Sequence, residues 1–402
     1  MNPSRYFLIV CASVLCFSAS SAYQIPLSES YKTGKVRFVQ ELVLDDESMP
    51  ENLFFERPTS IVCDQDDNIY VLDSDANNIK KFDSNGRFIK TIGREGQGPG
   101  EFSSPYYLTY AGDRLVLWDL MNRRLCAFTP EGKFIKSSNI PYDEGSVRKL
   151  RSLPTGEIVV EKEKSYRRDP DKPQICTIDL YSRDLEFVRT IYERSLWRKK
   201  YVRTKEFGIS TLYFPYSPNV HWDVSPEGKI IIGFSEKYEL EVYDRDGKKL
   251  VTFSHSYEPA KVTERDKKVY FDSLEFYRAG AKLNEIPEYI TKETQFPKNM
   301  PAFDNILIDS EGNVLVVLNG ENEDENEKTF DVFDQNGKFI SSVQIAGDTP
   351  YHFSRQTNIH KRSFWLVKTG EDELYRVIKY SIEAELMPLR SNRNELKDIN
   401  HP

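Results

Sequence analysis

The sequence is poor in the residues that metal and redox chemistry draw on. Among 402 residues there are 5 cysteines and 5 histidines. Cys11 and Cys16 fall in an apolar N-terminal segment, and Cys63, Cys126 and Cys176 stand far apart at no metal-ligand spacing. Three thiols cannot all pair, so they read as small buried apolar side chains on strands. Long apolar runs are also missing. Beyond the N-terminal segment nothing approaches the roughly 20 apolar residues that a membrane helix needs. No Gly-x-Ser-x-Gly elbow occurs, so serine hydrolase chemistry has no support. The formal net charge is -8, which argues against nucleic acid as a partner.

Residues 1–22 read as a removable signal peptide: Arg5 gives a positive start, 6–17 is apolar, and Ser20, Ser21 and Ala22 suit a cleavage site. A secreted or periplasmic protein follows, with no transmembrane segment after cleavage. Bulky Leu15 before Cys16 disfavours a lipid anchor. The mature chain is rich in aromatics, at 13%. Its pattern is clearest at 57–102, where short alternating apolar runs are separated by Asp-Asn and Asn-Gly turns. That pattern describes one four-stranded antiparallel sheet.

The plan recurs. Second strands open at Ile69, Leu115, Ile158, Ile230, Val314 and Phe364, which are 46, 43, 72, 84 and 50 residues apart. The shorter intervals match a blade of roughly 40–50 residues, and the longer ones require insertions. Candidate insertions are 163–174, 193–216 and 259–301, with an acidic tip at 321–328. Within 259–301, Tyr270, Leu274, Tyr277 and Ala281 recur at helical spacing, and Thr263 with Asp266 forms a capping-box pattern, predicting a helix over 263–281.

A lone four-stranded sheet exposes two edges and two apolar faces; a radial array buries the faces and leaves only short edges. The reading is therefore an all-β, six-bladed β-propeller over 23–386, with a helical insertion between blades four and five and a tail at 387–402. The isolated strand at 36–46 is placed as the closing strand of the last blade. The alternative is an open β-solenoid, in which that strand has no role.

Two stretches carry a family resemblance. Pro58-x-Ser60-Ile61-Val62-Cys63-Asp64-x-Asp66-Asp67-Asn68-Ile69-Tyr70-Val71-Leu72-Asp73, followed by Asn78-Ile79-x-Lys81-Phe82-Asp83-Ser84-Asn85-Gly86-Arg87-Phe88, resembles the NHL repeat. The run from Gly93 through Pro99 to Phe102, with Pro105 opening the next unit, looks like the junction between its blades. The likeness is strongest to exported bacterial six-bladed β-propeller proteins of unknown function. It implies the fold; the wider family includes binding scaffolds, sensor ectodomains and some metal-dependent lyases and lactonases.

Each candidate for chemistry has a plainer reading. Gly96 to Gly100 imitates a phosphate loop, but Pro99 removes an N–H and no helix follows, so a flexible crossover between blades is expected. Asp64-x-Asp66-x-Asn68 and Asp73-x-Asp75-x-Asn77 imitate calcium loops without the glycine or the terminal glutamate, and read as turns. First strands should deliver Arg57, Tyr106, Arg148, Asn219, His221, Asp304 and His360 to the mouth of a central channel. A divalent metal there would need converging ligands; otherwise the mouth is polar and water-filled. Trp197, Arg198, Lys199, Lys200 and Tyr201 form a basic aromatic stretch in an acidic chain. It could be a rim for an acidic polymer or a sugar, or a solvated loop packed on a blade edge. No cofactor is predicted. The expected activity is non-catalytic binding of a protein, peptide or glycan by a monomer, with a metal-dependent lyase or lactonase-type hydrolase as the alternative and a sensor ectodomain as a third reading.

Overall fold

The computed structural model describes residues 26–384 except 52, 167–168, 170–171, 205–207, 275–276, 279–280, 283–285, 320–328, 347–356, 358 and 371. The expected leader at 1–22, the acidic tip at 321–328 and the tail at 387–402 lie outside the described residues.

Blade one is Pro58–Cys63, Ile69–Asp73, Asn78–Phe82 and Phe88–Ile92; blade two is Pro105–Tyr110, Leu115–Asp119, Arg124–Phe128 and Phe134–Asn139. Blade three is Ser146–Ser152, Ile158–Lys164, Gln174–Tyr181 and Phe187–Leu196; blade four is Val220–Val224, Ile230–Phe234, Glu239–Tyr243 and Lys249–Ser254. Blade five is Phe303–Ile308, Val314–Leu318, Thr329–Phe333 and Phe339–Ala346. Blade six takes Ile359–His360, Ser363–Thr369 and Tyr375–Ala384 from the end of the chain and Lys35–Leu44 from its start.

Local chemistry explains the strands. In the turns between third and fourth strands, Asp83, Asp244 and Asp334 each accept backbone N–H bonds two and four residues on, at 2.8–3.0 Å. Such a turn needs a left-handed residue, supplied in blade one by Gly86 at φ 82°. Blade three has no glycine there; Leu185 takes φ 58° and Ser182 replaces the aspartate.

Most second strands are nearly all apolar because they are covered on both faces: Ile69–Asp73, Leu115–Asp119, Ile230–Phe234 and Val314–Leu318 are the clearest. One apolar cluster fills each space between neighbouring blades. Leu72 and Leu117 share the core between blades one and two, and Val116 and Val160 that between two and three. Val159 and Trp222 share the core between three and four, and Ile231 and Val316 that between four and five. Val332 and Phe364 share the core between five and six, and Trp365 and Val71 that between six and one. Six cores between six sheets make a closed ring, so the chain is a six-bladed β-propeller.

The chain passes between blades on one face of the ring, here the crossover face, which also carries the turns between second and third strands. The opposite, hairpin face carries the other turns, none longer than five residues. Among the described residues, the insertions sit on the crossover face. One is a hairpin of Lys199–Thr204 and Gly208–Tyr213; another holds two helices, α2 (Glu264–Asp272) and α3 (Glu288–Glu293), α1 being Leu27–Tyr31. The capping box at Thr263 and Asp266 is formed, with bonds of 3.2 and 2.7 Å. The helix is shorter than 263–281, however. It ends at Asp272, and Tyr277–Arg278 pairs instead with Ala281–Lys282. The last turn of the helix is the part that docks: Tyr270 and Phe271 pack on Phe296, which also faces Tyr216.

Replacing fully buried Leu44 with Ala is expected to lower the unfolding free energy by about 2–5 kcal/mol. The same change at exposed Leu374 should cost less than about 0.5 kcal/mol. Urea denaturation of both variants checks the difference.

Candidate functional site

The ring presents two mouths with different chemistry. At the crossover face, the first strands of blades four and five supply Asn219, His221 and Asp304 to a cavity of about 480 Å³. Its other walls include Arg198, Tyr213, Phe214, Tyr216 and Asn319. Asn219 is set by its neighbours: its N–H donates to Ser235 Oγ at 3.0 Å, and its side-chain oxygen accepts from Val220 N at 3.0 Å. His221 is buried with its ring edge-on to Phe303, centroids 5.5 Å apart. The insertions close the back of the cavity. Tyr216 Oη donates to the carbonyl of Asp266 in α2, and Tyr270 Oη to the carbonyl of Tyr213, both at 3.1 Å.

Beside this cavity three cations converge on one carboxylate. Glu163, at the end of the second strand of blade three, has a side chain only 1% exposed. Lys199 Nζ lies 2.6 Å from it, Arg148 Nη2 lies 3.6 Å away, and Arg198 is in direct contact. Ser165 Oγ donates to the same carboxylate at 3.2 Å. Burial pushes the Lys199 ammonium below its usual range, and the charges of Arg148 and Arg198 add to that effect. The side chains of Arg148 and Arg198 are partly exposed.

The predicted mouth residues therefore divide. Asn219, His221 and Asp304 come together, and Arg148 joins Arg198 and Lys199 from the predicted rim. Arg57 and Tyr106 form a separate pair on blades one and two, the guanidinium 5.6 Å from the ring centre, with Asp75 3.3 Å from Arg57. His360 does not belong to this mouth. The first strand of blade six is only Ile359–His360 and turns at once through Lys361 at φ 55°, so His360 ends that strand on the hairpin face. There its Nε2 lies 2.8 Å from Asp67, which also pairs with Lys361. Lys200 is turned aside as well, 3.3 Å from Glu293 of α3. Trp197 and Tyr213 stand exposed, and Tyr201 is half-buried.

Glu163 was not among the predicted residues. Its signal was faint: one acid at the start of a charged loop, 15 residues after Arg148 and 35 before Arg198. Also missed was the charged lining at the hairpin-face mouth, a cavity of about 500 Å³ bounded by the ends of all six first strands. There Arg151 spans the channel: Nε bonds Asp223 Oδ1 at 2.8 Å, and Nη2 bonds the Thr357 carbonyl at 2.7 Å.

The other motifs resolve into structure. The Gly96–Gly100 crossover is fastened rather than loose. Glu101 accepts from Gly98 N at 2.9 Å and pairs with Arg94, so its carboxylate occupies the place an anion would take, and these bonds hold it below the usual carboxylate range. Asp64 is consumed by its own turn, accepting from Asp66 N, Asn68 N and Tyr70 Oη. Asp73 is buried against Lys80 at 2.6 Å and accepts from Arg57 N at 2.7 Å. Among the described residues no three His, Cys, Asp or Glu side chains are grouped to hold a metal ion. Cys63, Cys126 and Cys176 form no disulfide with one another, and burial raises the Cys63 and Cys126 thiols to about 12.

Residues 51–155 match the family DUF5128, described as a 6-bladed beta-propeller. A member of the DUF4221 family from Bacteroides vulgatus is similar in structure, with a TM-score of 0.50 at 12% identity over 88% of this chain and 99% of that one. A protein of Bacteroides fragilis described as a candidate exported protein gives 0.47 at 12% identity, over 87% and 95%. Virginiamycin B lyase from Staphylococcus aureus gives 0.40 at 10% identity, over 86% and 99%. No curated protein matches the chain. At these identities the likeness concerns the fold alone.

Two outcomes are expected. With thiols raised so far, Cys63 and Cys126 should resist a thiol reagent at pH 8 in the native protein and react once it is unfolded. Glu163→Gln should leave three cations without their shared partner and cost about 3–5 kcal/mol of stability, measured by urea denaturation.

Proposed function

We propose that this propeller is a non-catalytic binding module that works outside the cytoplasm and recognises its ligand on the crossover face. The observation that carries the reading is the segregation of the insertions. Turns on the hairpin face are no longer than five residues, whereas the inserted hairpin and the two inserted helices lie on the crossover face, over blades three to five. A rigid ring holds such connections in place, and connections on a rigid scaffold are where recognition resides. The cavity of about 480 Å³ lies among them, with exposed Trp197 and Tyr213 at its side. Those two rings leave a large apolar area in water that folding does not require. The expected leader at 1–22 supports the location.

The test compares two surfaces. A Trp197→Ala/Tyr213→Ala protein and a Lys361→Ala protein would be probed against immobilised glycans and peptides beside the parent chain. Ligands held by the parent should be lost by the first variant and kept by the second. Retention by the first and loss by the second would overturn the assignment. A divalent ion at one per chain in the purified protein, bound by Asn219, His221 and Asp304, would favour the lyase or hydrolase alternative.

A further inference from the structure

We infer that the crossover-face cavity takes an acidic saccharide, with the sugar's carboxylate or sulfate on Arg198 of its wall and on Arg148 beside it, and a sugar ring stacked on Tyr213. This names the ligand class for the site proposed above and rests on that reading.

The charge pattern points to an anion. Lys199, Arg148 and Arg198 all lie against Glu163, and this carboxylate is buried while the two arginine side chains are partly exposed, at 39% and 22%. Glu163 and Lys199 thus form the fixed floor, and the arginines form the accessible layer above it. A guanidinium carries five N–H donors in a planar fork that matches a carboxylate or sulfate. An arriving anion would also relieve the repulsion that helps to hold the Lys199 ammonium low.

The surrounding walls select a sugar over a peptide. Apart from Arg198 and one acid, Asp304, the cavity is bounded mainly by rings, amides and hydroxyls: Tyr213, Tyr216, Ser217, Asn219 and Asn319 among them. Amides and hydroxyls both donate and accept, as a ring of hydroxyl groups requires. No Leu, Ile, Val or Met lines it among the described residues, so an apolar peptide anchor finds no aliphatic pocket. Tyr213 lies opposite Lys199 across the hairpin and is 60% exposed; Trp197, next to Arg198, is 59% exposed. Exposed rings beside cations offer the apolar face of a sugar a stacking surface while its acid group is bound.

The experiment uses the full mature chain in titrations with four probes: oligogalacturonate, a heparin-derived sulfated oligosaccharide, neutral maltohexaose and poly-glutamate. At least one acidic saccharide should bind, and the two arms separate carboxylate from sulfate. Arg148→Gln/Arg198→Gln and, separately, Tyr213→Ala should each weaken it by about tenfold. Raising the salt to about 0.5 M should weaken it as well, and maltohexaose should not bind at the same concentrations. Tyr213 is solvent-facing, so its variant reads binding even if the arginine pair proves necessary for folding. Failure of both acidic saccharides, equal affinity for maltohexaose, tighter binding of poly-glutamate, or indifference to Tyr213→Ala would overturn the inference. If other glycans or peptides are still lost from the Trp197→Ala/Tyr213→Ala surface, the binding role stands without it.

Discussion

Closure of the ring by a single strand from the start of the chain is the interaction on which the remaining geometry depends. Lys35–Leu44 pairs antiparallel with Tyr375–Ala384, from Val36 opposite Ala384 to Leu44 opposite Val377. At its beginning it also pairs parallel with the last strand of blade five, through Lys35 and Gln344. The residues just before it are seated too. Leu27 N donates to Glu311 at 2.8 Å, Tyr31 Oη to Asp309 at 3.1 Å, and Ser341 Oγ to the Tyr31 carbonyl at 2.7 Å. Without this strand, blade six would have an open edge and the cores on both sides of it would lose Val36 and Leu44. An open edge is also a template for pairing with another chain.

Closure is reinforced at the axis by charge. Arg151 of blade three reaches Asp223 of blade four and the Thr357 carbonyl ahead of blade six. Asp67 of blade one holds His360 and Lys361 of blade six. The hairpin face is thus bound together by short turns and cross-ring pairs. The crossover face is the side on which length could be added without disturbing a core. The hairpin and the two helices there stand on blades three to five. Through Tyr213, Tyr216 and Glu163 they bring together side chains from segments that are neighbours only in space.

Much of the architecture was legible. Asn85-Gly86 and its counterparts specify turns, and alternating apolar runs specify strands, so the number of sheets and their bounds could be read directly. The departures have local causes. Leu185 adopts a left-handed conformation that no pattern announces, and the helix ends at Asp272, where its last turn packs on Phe296 through Tyr270 and Phe271. The site was legible in part. Of the residues expected at the mouth, Asn219, His221 and Asp304 line one cavity, with Arg198 of the basic aromatic stretch. That His360 faces the other mouth was not legible, because the short first strand of blade six leaves too few residues to count from.

Sequence by itself determined that this chain makes strands, where it turns, and that the turns recur often enough for six sheets. Those properties depend on residues within a few positions of one another. Tertiary structure alone decided which side chains meet. Arg148, Glu163, Arg198 and Lys199 converge because the second strand of blade three pairs in one register with its first strand, and the inserted hairpin folds back over that edge. A shift of one residue would turn each of these strand side chains to the opposite face of its sheet. No local feature of the chain records that choice; it is made when the apolar faces of adjacent blades pack together.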